Sequence, residues 1–343
     1  ACVWVCVHKG LDDKVASKVD PIIAKMAASD PSKGYKDSLK ALYGPETRKI
    51  TFRHLLGMQS GIPDFDTAKP EGKYPTDSFR ATVYEQPEHV FSPMELMNLD
   101  WVSYGELEYT PGTKFGYSST NFMLLGLILA HHYGYDSWET YNQKDALPDD
   151  LKPMFENITF ALKNPPNAFT PMHGLDRTTY NNQTGEKDVW STTGVFAGWT
   201  ASNIVGSVGD IANFAYELYG PNSQLLTPEI QKEMIPKSGF YGLATMNFSG
   251  MTGPDRTGKD YAYGHLGATY GYDSLVGFFS ALNMSLVVAS SIESMDQSQP
   301  SDTLCHVYNT IFNYQKGLPQ PSCQFVKKSY YHKTCECTTP SSA

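Results

Sequence analysis

The chain has 343 residues, 41% of them hydrophobic and 18% charged, and a formal net charge of -9. That composition can bury a core and is too apolar for a disordered chain, and the acidic balance argues against a basic nucleic-acid footprint while leaving room for a local patch. The longest apolar runs, such as Phe122 to Ala130, fall far short of the ~20 residues that cross a bilayer, so no membrane-spanning segment is expected.

Residues 1–9, ACVWVCVHK, are almost wholly apolar until Gly10 stops the run. A chain end is normally wet and frayed, whereas these residues read as core. Periodicity does not separate a buried strand from the last turns of a buried helix at this length. The expectation is that the chain begins inside an element. A preceding segment, covalently joined or held as a separate N-terminal fragment, would then complete the sheet. Residues 11–50 are polar and lysine-rich without a strong period.

Thr51 precedes Phe-Arg-His-Leu-Leu, which predicts a short helix ended by Ser60-Gly61-Ile62-Pro63. A mixed polar loop over 64–90 follows. Ser92-Pro93-Met94-Glu95 is a helix start, with Ser92 as cap, Pro93 at the first helical position and Glu95 closing the box. The turn Tyr109-Thr110-Pro111-Gly112 leads through Phe115-Gly116-Tyr117-Ser118-Ser119 to the run FMLLGLILA. That run is poor in β-branched residues and predicts a buried helix ending near Gly134. Asp136 to Glu139 repeats a cap signal for a next helix, and residues 148–200 are irregular.

Ser207 to Asp210 opens a helix running to Gly220, and Thr227-Pro228-Glu229 opens another. The period then changes. Phe240 to Phe248, Ser274 to Ala281 and Met284 to Ile292 predict strands, and Asp302 to Phe312 predicts a helix packed back on them. Successive strands followed by a helix point to an α+β fold with a mainly antiparallel sheet flanked by helices. The expected layout is a single domain over 1–316, with a helical lobe at about 50–190 and a sheet lobe from 1–49 and 195–316. A cysteine-containing tail at 317–343 follows it.

The chain holds six cysteines, and Cys305, Cys323, Cys335 and Cys337 sit late. An even count suits an oxidising compartment and a stapled tail, with the pairing left open. Cys2 and Cys6, inside the apolar run, fit buried free thiols better. Sequons occur at Asn157, Asn182, Asn247 and Asn283, and together with the cysteines they point to the secretory pathway. Asn283, between two predicted strands, belongs at a hairpin tip.

Nine histidines occur without a His-Glu-x-x-His or Cys-x2-Cys spacing, and Cys335-Glu336-Cys337 fits disulfides better than a metal. No glycine-rich phosphate loop is present, so neither metal nor cofactor is expected. Two stretches could carry chemistry. Tyr117 falls just before the buried helix, where a Pro-Gly turn fixes the approach and a side chain can point into a cleft. A phenol has a free pKa near 10, so a base there would need a neighbouring cation. In the second stretch, GHLGATYGYDS, glycines at 264, 267, 271 and 277 mark bulges or a close approach of backbone to a ligand. His265 beside them could donate to a substrate or shuttle a proton. Each of these residues could equally be structural: Tyr117 is one of 22 tyrosines, and an edge histidine is often just hydrogen-bonded.

Four segments in order resemble one family. ITFRHLLGMQSGIPD from Ile50 is similar to its I-T-x-R-H-L-L-x-x-x-S-G-[IL]-P segment. Pro111 to Leu127 is similar to its P-G-x-x-F-x-Y-S-N-x-[NG]-[YF]-x-L-L-G. Ala197 to Phe214 is loosely similar to its A-G-x-x-x-S-x-x-D-[LI]-x-x-F. Gly264-His265-Leu266-Gly267 resembles the H-x-G version of its K-T-G strand. The family is that of penicillin-binding proteins, class C beta-lactamases and related serine esterases and amidases. The resemblance implies a beta-lactamase/transpeptidase-like fold, with an active site between an all-helical lobe and the sheet, and a small ester, amide or peptide substrate cleaved through an acyl-serine intermediate.

It also implies roles. Tyr117 would be the general base or proton relay of the second motif, and His265 would line the third edge of the cleft. The Ala268 N–H would serve as an oxyanion-hole donor. Ser119 stands where the family usually has asparagine. A hydroxyl is shorter and makes fewer hydrogen bonds, which counts against efficient amide turnover. The first motif, Ser-x-x-Lys, is not in the early chain: residues three beyond Ser17 and Ser29 are Asp20 and Ser32. Ala1 to Asp13 resembles the end of the run that follows that motif, so the nucleophile is expected just upstream of residue 1. The alternative is an inactive relative acting as an extracellular structural or binding protein, in an oligomer or surface assembly.

Overall fold

The computed structural model describes residues 10–66, 78–163, 172–178, 186–252, 260–294, 299–327 and 333–338. The opening apolar run with Cys2 and Cys6, and Asn182, lie outside them. The lysine-rich stretch folds as helix α1 (Ala16–Ser29), burying Val19, Ile23 and Ala27. Spacing of four residues puts these on one narrow stripe, which is why the surrounding polar residues hide the helix from a pattern search. The short helices α2 (Leu39–Tyr43) and α3 (Phe52–Leu56) follow. Thr51 caps α3 as expected, but His54 closes the box: its N–H donates to Thr51 Oγ1 and its Nδ1 accepts from Thr51 N, both at 3.3 Å.

Helix α4 (Ser78–Glu85) precedes α5 (Pro93–Met97), whose Ser92–Glu95 capping box forms as the sequence predicts. The FMLLGLILA run is helix α6 (Thr120–His132), buried on nearly every side. A Cβ on Gly126 would lie 2.1 Å from Thr200 Oγ1. Glycine is therefore required there for close approach, and Thr200 uses it to donate to Phe122 O at 2.8 Å. The cap signal at Asp136–Glu139 starts no α-helix. Ser137 Oγ accepts from Glu139 N and the chain passes into a 3-10 turn at Gln143–Ala146, so the signal closes a local turn instead.

Short strands tie the irregular middle together. β1 (Thr159–Phe160) pairs antiparallel with β4 (Ile204–Val205). β2 (Leu175–Asp176) lies between β3 (Lys187–Asp188), antiparallel to it, and β9 (Ile292–Glu293), parallel to it. Helices α7 (Val208–Tyr219) and α8 (Pro228–Met234) start at the Ser207 and Thr227 caps. The main sheet is antiparallel, with β5 (Met246–Asn247), β6 (Ala262–Thr269), β7 (Tyr272–Phe279) and β8 (Met284–Ser290) in that spatial order.

Phe240 to Phe248 is not one strand. The chain doubles back, with Tyr241 bridging Met246, because Ala244 takes φ +51° and the Leu243 and Ala244 N–H groups bond to Met234 O and Leu56 O. The strand alternation of β7 is clear in its packing. Phe278 meets Tyr216 of α7, ring centroids 5.7 Å apart, while Phe279 meets Tyr308 of the long helix α9 (Gln299–Lys316) at 4.9 Å. Helices thus cover both faces, in the α+β arrangement that the sequence predicts. The tail forms a hairpin of β10 (Ser322–Lys327) and β11 (Lys333–Thr338) against α9, stapled by Cys305–Cys335 and Cys323–Cys337. No helix among the described residues is long and apolar enough to cross a membrane.

Two apolar clusters organise these elements. One gathers α1, α3, α5 and α6 with Leu11, Val15 and Trp199. The other fills the space between the sheet, α9 and the tail hairpin.

Candidate active site

The first wall of the site is built by stapling the loop after α3 to the approach of α6. Gly61 takes φ +78°, and a Cβ there would meet Tyr109 O at 2.3 Å, so this crossing needs glycine. Gly116 N donates to Met58 O at 2.8 Å. Thr120 Oγ1 donates to Pro63 O at 2.9 Å and accepts from Phe65 N at 3.2 Å. Ser60 Oγ donates to Asn121 Oδ1 at 2.7 Å and accepts from Ile62 N at 3.0 Å. Ser118 is buried, its hydroxyl on Pro63 O at 3.3 Å. Ser119 stays half-buried at the start of α6, and its N–H donates to Asp64 Oδ1 at 2.9 Å. Tyr117 is thereby held on a rigid base one residue before the buried part of this turn.

The second wall is β6. His265 and Ala268 both lie on it, in register with Val276 and Asp273 of β7. The structure brings Tyr117 and His265 together, ring centroids 6.3 Å apart. Tyr241 completes the corner. Its Oη lies 3.0 Å from His265 Nε2, and its ring meets Tyr117 edge-on at 6.4 Å and Phe115 at 5.4 Å. Burial holds the His265 imidazole below its ordinary pKa, so it is neutral near pH 7. Tyr241 was not visible as a site residue in the sequence, because it sits in a run whose alternation reads as a plain strand.

Beyond Ala268 the β6–β7 turn is tied to the first wall. Tyr270 Oη donates to Asp66 Oδ1, two residues from the carboxylate that holds Ser119 N. The Arg80 guanidinium stacks over the Tyr270 ring at 4.4 Å. Arg80 also pairs with Glu293 through two bonds of 2.8 and 3.0 Å and with Asp176 through Nη1. Glu293 accepts in addition from Gly271 N at 3.0 Å, and Asp176 from Thr178 and Tyr84. Burial pushes the Asp176 carboxyl up, but Arg80 and these hydrogen bonds outweigh it and hold it below its usual range. No motif announces this network, since its members lie 96 and 213 residues apart.

Among the described residues the sulfurs of Cys305, Cys335 and Cys337 come within 4.8 Å of one another. All three are taken up in disulfides, which leaves no thiolate for a metal.

A family model described as Beta-lactamase matches residues 2–304. The chain belongs to the beta-lactamase family. Solved structures with a similar fold include a D-stereospecific amidohydrolase from Streptomyces sp., at 22% identity and TM-score 0.55 over 83% of each chain. The D-amino acid amidase from Ochrobactrum anthropi SV3, complexed with L-phenylalanine amide, is 18% identical at TM-score 0.52, covering 84% of this chain and 79% of that one. The octameric penicillin-binding protein homologue from Pyrococcus abyssi is 15% identical at TM-score 0.55, covering 97% and 79%. At such identities the likeness is one of fold. No curated protein matches the sequence. Membership of the beta-lactamase family supports serine-hydrolase chemistry on amide or ester bonds. Within the family member's 343 residues no serine is followed by lysine three positions later.

Proposed function

We propose that this chain supplies two walls of a serine-hydrolase site that cleaves a small ester or amide through an acyl-serine intermediate. The observation that carries the reading is the meeting of Tyr117 and His265. They lie on motifs far apart in sequence and on different walls, yet their rings are 6.3 Å apart. In this reading Tyr117 takes the proton of the attacking hydroxyl and returns it to the leaving group, Ala268 N–H stabilises the oxyanion, and Ser119 contacts the substrate. The nucleophile and its lysine come from sequence outside the 343 residues. Amides of amino acids are candidate substrates, in keeping with the amidase neighbours.

The test uses the full-length protein with its upstream residues. A fluorophosphonate should label one serine lying in a Ser-x-x-Lys, and the protein should release nitrophenol from p-nitrophenyl butyrate. Tyr117→Phe should lower kcat by about 10²–10⁴, the usual contribution of a general base. An upstream sequence without Ser-x-x-Lys would overturn the proposal. Passage through the secretory pathway is part of the same proposal. The exposed Asn157 and Asn283 and the two tail disulfides support it. A mass spectrum of the native protein without glycan, and with free thiols at Cys305, Cys323, Cys335 and Cys337, would refute that part.

A further inference from the structure

The hydrogen-bonding state of His265 is fixed at both nitrogens. Nδ1 lies 2.6 Å from Leu266 O, and Nε2 lies 3.0 Å from Tyr241 Oη. A carbonyl has no proton to give, so Nδ1 carries the hydrogen and donates it. In the neutral ring Nε2 is then an acceptor, and Tyr241 O–H is the group that donates to it. The other assignment is an imidazolium with Tyr241 as acceptor. It would place a charge on this ring, which burial disfavours. Tyr241 is itself fixed by a wall of rings: Phe115 at 5.4 Å, Tyr117 at 6.4 Å and Phe240 at 6.5 Å. Among the described residues named here this corner is aromatic and uncharged, and both nitrogens of its histidine are engaged.

We propose that Tyr241 determines specificity: by occupying His265 Nε2 it keeps the β6 wall uncharged, so that the site takes substrates neutral at this position and discriminates against those bearing a carboxylate there. The proposal rests on the hydrolase reading above. A carboxylate brought against His265 would lose water and meet, among the described residues of this corner, aromatic rings and a neutral imidazole, while an uncharged ester or amide loses little. Removing the Tyr241 hydroxyl alone frees Nε2, which can then take a proton and pair with an incoming carboxylate. Phenylalanine keeps the ring and its contacts with Phe115 and Tyr117.

The experiment compares two esters on the full-length protein, p-nitrophenyl butyrate and mono-p-nitrophenyl glutarate, which differ by a terminal carboxylate. The wild type should favour the neutral ester in kcat/KM. Tyr241→Phe should shrink that preference by about tenfold, the scale of one charge-assisted hydrogen bond, through a lower KM for the anionic ester. A separate readout does not depend on activity. With ¹⁵N-histidine labelling, and His265→Asn to identify the resonances, His265 should be protonated at Nδ1 and bare at Nε2 at pH 7. A wild-type ring protonated at Nε2 overturns the proposal, as does an unchanged ester preference in Tyr241→Phe. Hydrolysis of neither ester instead overturns the hydrolase reading, and the specificity role with it, while the ¹⁵N spectrum still decides whether Tyr241 locks the tautomer.

Discussion

Two polar networks hold the two walls of the candidate site, and they are built on opposite principles. The network under Tyr117 joins Met58–Asp66 to Gly116–Asn121 by neutral hydroxyl, amide and backbone bonds, with Asp64 as the one carboxylate on Ser119 N. The network behind β6 centres on one guanidinium, buried to 11% exposure, between two carboxylates at 3%. In the first, each bond replaces a similar one to water, so each contributes modestly and the loss of one is local. In the second, desolvation is severe and every member depends on the charge of the others. The first wall is therefore expected to tolerate single changes that the second does not.

The comparison breaks most visibly at Arg80. Arg80→Met removes the partner charge that Asp176 and Glu293 share among the described residues and should destabilise the protein by about 3–5 kcal/mol, read as a fall in the urea midpoint. A loss below 1 kcal/mol would show that water reaches these carboxylates. Tyr270→Phe cuts the tie between the networks and should cost about 1–2 kcal/mol, since Asp66 keeps part of its access to solvent. Hydrogen exchange should rise in both 116–121 and 264–269; a rise on one side alone would mean that the walls are not coupled through Tyr270.

On the neutral side, Ser60→Ala leaves Ile62 N and Asn121 Oδ1 without this hydroxyl and should cost about 1 kcal/mol. A cost equal to that of Arg80→Met would erase the difference between the two networks. The smallest effect is on pH dependence. His54 and His265 are both held below the ordinary imidazole pKa, in each case chiefly by burial. The unfolded chain therefore binds more protons as pH falls below about 6.5. Their contribution to stability is complete above that pH and is lost as pH drops toward the lower folded values. Denaturation midpoints should decline from pH 7 to pH 5.5, and less so in a His54→Gln variant.

Much of the fold was legible along the chain because its signals are local. Ser92 and Thr227 cap helices through bonds spanning three residues, and the β7 and β8 alternation needs only the pleat. Where such signals misled, a distant partner had prevailed. The Phe240–Phe248 run alternates like a strand, yet Leu56 O and Met234 O capture its N–H groups and fold it back. The Asp136–Glu139 signal is chemically a cap, but its bonds close a turn. Helix α1 passed unseen because a stripe as narrow as Val19, Ile23 and Ala27 is diluted by the lysines and serines around it.

By itself the sequence determined the beta-lactamase family, the α+β class and the two stretches carrying Tyr117 and His265, because contiguous motifs and short-range periodicity encode them. It also located the cysteines that staple the tail, though not which joins which. Only the tertiary structure decided that Cys305 pairs with Cys335, that Tyr241 holds His265, and that Arg80 binds Asp176 and Glu293 behind Tyr270. These contacts join residues up to 213 positions apart. A hydrogen bond or ion pair depends on distance and desolvation, which exist only once the core has brought the elements together.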